Sequence, residues 1–167
     1  MADKIPMTPR GLQQLRDELK RRKEVERPKI VLAIEEARAH GDLSENAEYT
    51  YAKDAQSFNE GRIKELESVI ALSNVIDPTK LSGDKVVFGA TVQLNDSDSG
   101  EQVVYTIVGE YEADIKQGLI AVTAPVARAL IGREAGDTVN VRTPKGNREY
   151  EILAVKFLAV DPRQEAQ

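Results

Sequence analysis

The chain has 167 residues, 31% of them charged and 5% aromatic, with a net charge of −5, seven prolines, one histidine and no cysteine or tryptophan. That inventory excludes disulfides, thiolate nucleophiles, cysteine-based zinc or iron–sulfur sites and multi-histidine metal centres, so any chemistry rests on carboxylates. No apolar run approaches the ~18 residues of a membrane span and the start lacks a signal layout, so a cytoplasmic protein without a membrane partner is expected.

Thr8-Pro9 reads as a helix start, a hydroxyl cap followed by proline at the first helical position. Leu12, Leu15 and Leu19 follow at helical spacing, and after a charged middle Ile30, Ile34 and Ala37 resume the stripe. Pro28 interrupts it and predicts a bend or a division. The cluster Arg21, Arg22, Lys23 and Arg27 reads as a solvated face. His40 and Gly41 supply a helix end, the histidine as a dipole contact without chemistry.

A second helix is expected from about Ser44 to Ser73, with Ala52, Ala55, Ile63, Leu66 and Ile70 on its seam. Folded back antiparallel, the arms match end to end and extend roughly 45 Å at ~1.5 Å per residue. The segment 41–49, Gly-Asp-Leu-Ser-Glu-Asn-Ala-Glu-Tyr, then stands at the hairpin's far end. At least one of Tyr49 and Tyr51 is expected to pack over that tip.

Beyond Asn74-Val75-Ile76-Asp77-Pro78 the helical period stops and β patterning takes over. Strands are predicted at Val86-Val87-Phe88, Ala90 to Leu94, Gln102 to Val108, Thr138 to Thr143 and Arg148 to Leu158, with hairpin loops at 95–100 and 144–147. Pro125 to Ile131, closed by Gly132, predicts one short helix. The fold class is α+β, an antiparallel helical coiled-coil hairpin (1–78) followed by a β domain (79–160) and a tail (161–167).

Asp42 and Glu45 are three residues apart and on a helical first turn would share a face, where they could converge on a cation. Mg²⁺ suits such a pair, yet two protein oxygens make only half a site. The same spacing also describes a capping box, Asp42 as N-cap and Glu45 at the third position, and the residues alone leave both readings open.

The string GDLSENAEY resembles the GreA-type bacterial transcript cleavage factors. So do the Ile-Pro-Met-Thr start, Arg27-Pro28, Glu60-Gly61-Arg62-Ile63, Phe88-Gly89-Ala90-Thr91-Val92, Ala113-Asp114 and Ala127-Arg128-Ala129-Leu130-Ile131-Gly132. The resemblance spans nearly the whole chain in order. It implies a non-enzyme factor that binds bacterial RNA polymerase, inserts its coiled coil into the secondary channel and stimulates 3′ cleavage of backtracked transcripts.

Under that resemblance Asp42 and Glu45 are the catalytic carboxylates supplied in trans, holding a Mg²⁺ shared with the polymerase. Ser44 lies beside them, as an ordering group or a cap. Arg38 and Lys53 flank the tip and meet transcript. The β domain is FKBP-like, and Thr123, Ala124 and Pro125 form the loop that docks on a coiled coil of the largest polymerase subunit, serine being usual where Ala124 stands. The factor is expected to be a monomer. Competing readings are a non-cleaving regulator of the same channel, against which the Asp42 and Glu45 pair speaks, and a prolyl isomerase or chaperone, for which aromatic residues are few.

Overall fold

The computed structural model describes residues 3–42 and 46–160. The chain forms two compact units, one of residues 13–72 and one of residues 3–12 with 73 onward. The first residues and those just after the second long helix belong with the β unit. The reason is a parallel strand pair, β1 (Ile5–Met7) with β2 (Ser73–Val75), in register from Ile5↔Ser73 to Met7↔Val75. Sequence periodicity does not register strands of three residues, and the expected helix end at Ser73 is overrun by β2.

The helical unit contains most of α1 (Pro9–Arg21), a π turn at Arg22–Glu26, α2 (Arg27–Arg38) and α3 (Ala47–Ala71). Pro28 is the second residue of α2, and the irregular turn lies just upstream, where the chain stays helical through Glu26 and Arg27 N–H bonds back to Arg22 O. Leu15, Ile34, Ala37, Ala52, Ile63 and Leu66 are buried as the expected stripes place them, whereas on the last turns of α3 Val69 is buried and the expected Ile70 is only half-buried.

The basic cluster is not simply a solvated face. Arg27 makes a two-pronged pair with Glu60 at 3.0 and 2.8 Å, Lys23 lies 3.7 Å from Glu67, and Arg22 and Arg62 converge on Glu18 at 2.7 and 2.9 Å. Buried Asn59 completes the cross-arm lock, donating to Arg22 O at 3.2 Å and accepting from Arg22 Nη1 at 3.0 Å. These pairs set the register of the arms, since polar groups at a helix interface are matched only in one alignment.

The β unit carries a five-stranded sheet of order β5-β4-β3-β7-β6, formed by β3 (Thr91–Asp96), β4 (Gln102–Val108), β5 (Leu119–Ala121), β6 (Thr138–Thr143) and β7 (Gly146–Lys156). All pairs are antiparallel except β4 with β5. Leu153 is an extra residue on β7 where the register against Gln93 and Leu94 shifts, a bulge that bends the strand. The short helix α4 (Pro125–Leu130) buries Ala127 and Leu130 with Val92, Leu94, Ile107, Val139, Val141 and Ile152.

Val86-Val87-Phe88 is not a strand. Val86 instead exchanges backbone bonds with the loop after α4, accepting Gly132 N–H and donating to Arg133 O. No helix among the described residues is long and apolar enough to cross a membrane.

Thr8 caps α1 as expected, its hydroxyl accepting Gly11 N–H at 3.1 Å. The reciprocal half of the cap comes from far away. Buried Glu112 accepts Thr8 N–H at 2.8 Å, the Thr8 hydroxyl and Gly109 N–H at 3.1 Å. In a capping box the third helical residue supplies that carboxylate; here the third residue is Gly11, and Glu112 fills its place.

Candidate functional site

Helix α2 ends in tightening bonds, His40 N–H to Ala37 O and Gly41 N–H to Arg38 O. Gly41 at φ +114° then turns the chain out of the helix, a conformation that side chains with a Cβ disfavour. Asp42 follows, exposed and outside any helix. Leu43, Ser44 and Glu45 lie outside the described residues, so the expected roles of Ser44 and Glu45 are sequence expectations only.

The capping reading of Asp42 is overturned. The N-cap of α3 is Asn46, whose Oδ1 accepts Tyr49 N–H at 3.1 Å, and the helix begins at Ala47 rather than near Ser44. Asp42 lies four positions before that cap, so a shared first-turn face with Glu45 does not describe it. The sequence carries a signal for this, since Asn46 is itself a preferred cap residue directly before Ala47.

Around this turn the two arms are joined several times. Asn46 Nδ2 donates to Ala37 O at 2.7 Å. The Arg38 guanidinium stands 6.0 Å from the centre of the Tyr49 ring, and His40 Nδ1 lies 3.3 Å from Glu48 Oε2. Tyr49 is thus the tyrosine that packs at the tip, while Tyr51 is 79% exposed. Lys53, one turn further along α3, donates to Gln56 Oε1 at 3.0 Å. Arg38 and Lys53 therefore sit on opposite arms, each with an intrachain contact.

Asp42 offers hard oxygen donors of the type Mg²⁺ takes. Among the described residues no group of three or more His, Cys, Asp or Glu side chains could hold a metal ion. One such carboxylate would make up only part of a divalent cation's ligand shell.

On the β unit, Thr123 and Pro125 are exposed and Ala124 is half-buried as the N-cap of α4, without a side-chain cap bond.

Comparison with known proteins covers both units. The family "Transcription elongation factor, N-terminal" matches residues 5–75, and "Transcription elongation factor, GreA/GreB, C-term" matches residues 81–157. A transcription elongation factor GreA from Anaeromyxobacter sp. (strain K) is 64% identical over 155 residues, covering 93% of each chain. One from Brucella canis is 58% identical over 156 residues, covering 93% of this chain and 99% of its own. Solved structures that align are GreA factor homolog 1 of Thermus thermophilus (27% identical, 91% and 98% coverage, TM-score 0.42) and a GreA/GreB factor from Nitrosomonas europaea (24%, 92% and 100%, 0.41). On the two family matches and the sequence identity over nine-tenths of its length, the chain belongs to the GreA/GreB family of transcription elongation factors.

Proposed function

We propose that this chain acts on bacterial RNA polymerase, entering the secondary channel with its helical hairpin and promoting the polymerase's own cleavage of backtracked transcripts from the 3′ end. The observation that carries the reading is Asp42, an exposed carboxylate outside both helices at the turn of a hairpin, in a chain of this family.

Asp42 and Glu45 supply oxygens to a Mg²⁺ that the polymerase and the RNA complete. Bound there, the ion supplies activation of a water and neutralisation of charge on the phosphodiester. The factor's own residues do the rest by position. Arg38 and Lys53 present cations on the two arms to RNA phosphate, and the loop Thr123 to Pro125 holds the β unit on the largest subunit's coiled coil. The division of labour follows from donor number: two carboxylates cannot hold Mg²⁺ tightly, so the free factor is inert and acts only within the complex.

The test uses stalled, backtracked elongation complexes with Mg²⁺. Wild type should shorten the RNA from its 3′ end, Asp42→Asn and Glu45→Gln should lose at least about tenfold in rate, and naked RNA should stay intact. Equal cleavage by the variants would refute the ligand role, and cleavage of naked RNA would make the chain a nuclease in its own right.

A further inference from the structure

Asn46 uses both ends of its side chain. Oδ1 caps α3 through Tyr49 N–H at 3.1 Å, and Nδ2 donates to Ala37 O, in the last turn of α2, at 2.7 Å. A helix cap needs only the first of these. Serine, threonine and aspartate serve as caps equally well, but among the preferred capping residues only asparagine carries an amide donor on a separate atom from the acceptor. The second bond is therefore an addition to capping, and its effect is to tie the start of α3 to the end of α2 at the base of the turn that carries Asp42.

The residues around it reinforce the same tie. Ala37 is 3% exposed, so its carbonyl sits on the packed side of α2. Tyr49, whose N–H is held by Asn46, has its ring 6.0 Å from the Arg38 guanidinium. Asn46 is thus held beside the last turn of α2, and a ligand group whose neighbours are held in place beforehand loses less freedom when it takes a cation.

We infer that Asn46 is the positioning residue of the tip, holding the base of the turn so that Asp42 meets the shared Mg²⁺ preorganised. This rests on the cleavage reading above. Asn46 touches neither metal nor RNA and acts through the turn. Its contribution is of the outer-shell kind, where loss of a supporting hydrogen bond weakens metal affinity or activity about 10- to 100-fold.

The discriminating variant is Asn46→Ser, which keeps the capping acceptor and is too short to bridge to Ala37. It should melt slightly below wild type, by the one interhelical hydrogen bond lost, and compete equally for polymerase. In backtracked complexes its cleavage at low Mg²⁺ should fall about tenfold and recover as Mg²⁺ is raised, so that the half-saturating Mg²⁺ concentration increases. Asn46→Ala should show the same Mg²⁺ shift and a still lower melting temperature, because it loses the cap as well. A wild-type Mg²⁺ dependence in Asn46→Ser while Asp42→Asn is inactive would overturn the inference and leave the cleavage reading standing. Wild-type cleavage by Asp42→Asn itself would overturn both.

Discussion

Replacing Gly11 with alanine tests how tightly the junction at the start of α1 is built. A Cβ at Gly11 would lie 2.6 Å from Glu112 Cδ and 2.7 Å from each of its carboxylate oxygens. Glu112 cannot swing away freely, because it is 6% exposed and holds Thr8 N–H, the Thr8 hydroxyl and Gly109 N–H. Overpacking costs about 1–3 kcal/mol, and weakening charged hydrogen bonds adds to it, against a helix-propensity gain of about 1 kcal/mol. Gly11→Ala should therefore destabilise the β unit by about 2–3 kcal/mol. Glu112→Ala should cost about 3–5 kcal/mol, since three donors lose a charged acceptor. In the Glu112→Ala background the obstruction is gone, so adding Gly11→Ala should be neutral or stabilising by up to about 1 kcal/mol. Urea denaturation of the four proteins, followed by near-UV circular dichroism of the tyrosines, measures the cycle. Additivity within about 0.5 kcal/mol would refute the argument, because residues that collide must couple.

Acid should loosen the hairpin through Glu18. The Arg62 hydrogen bond, then that of Arg22, holds its carboxyl at about 2, against an ordinary 4.5. The folded value is the lower one, so the stabilisation is complete above pH 4.5 and is lost as pH falls from there toward 2. The shift corresponds to about 3 kcal/mol, and solvent screening of a surface pair reduces it to about 1–2 kcal/mol. Glu18→Gln should be less stable than wild type by that amount at neutral pH, and the two stability curves, read by far-UV circular dichroism, should converge toward the acid end. Parallel curves at all pH values would show that the Arg62 pair contributes nothing. On the β unit, Ala124→Ser should raise stability by about 0.5–1 kcal/mol in thermal denaturation by capping α4, which lacks a side-chain cap; a drop in melting temperature would show that the hydroxyl cannot reach the helix N–H groups.

The legible features share a short range. Thr8-Pro9 starting α1, His40-Gly41 ending α2, Pro28 dividing the first arm, Gly132 at φ +88° closing α4 and the strands from Thr91, Gln102 and Thr138 all depend on neighbours a few residues away. Strand β5 was not legible, because its three residues exist as a strand only beside β4, to which Thr106 N–H and Val122 N–H bind it. The basic cluster was misread for a related reason: a run of arginines looks the same whether it faces water or Glu60 and Glu67. At the tip the order reversed, since the string was recognisable by resemblance while its local geometry was not. Asp42 lies before the helix whose cap the acidic spacing suggested it to be, and Asn46 is that cap.

By itself the sequence determined the helical stripes, most of their ends, the β character of the second half and the family to which the chain belongs. The tertiary structure decided the partners: which carboxylate Arg27 meets across the hairpin, which carbonyl Asn46 grips, and that the carboxylate completing the cap of α1 comes from Glu112, 104 residues beyond Thr8. Turns and the local half of a cap, such as Thr8 Oγ1 accepting Gly11 N–H, are chosen by hydrogen bonds within one helical turn, which a linear string displays. A buried carboxylate is placed by whichever donors the fold leaves unsatisfied around it, and those are known only once the chain has closed.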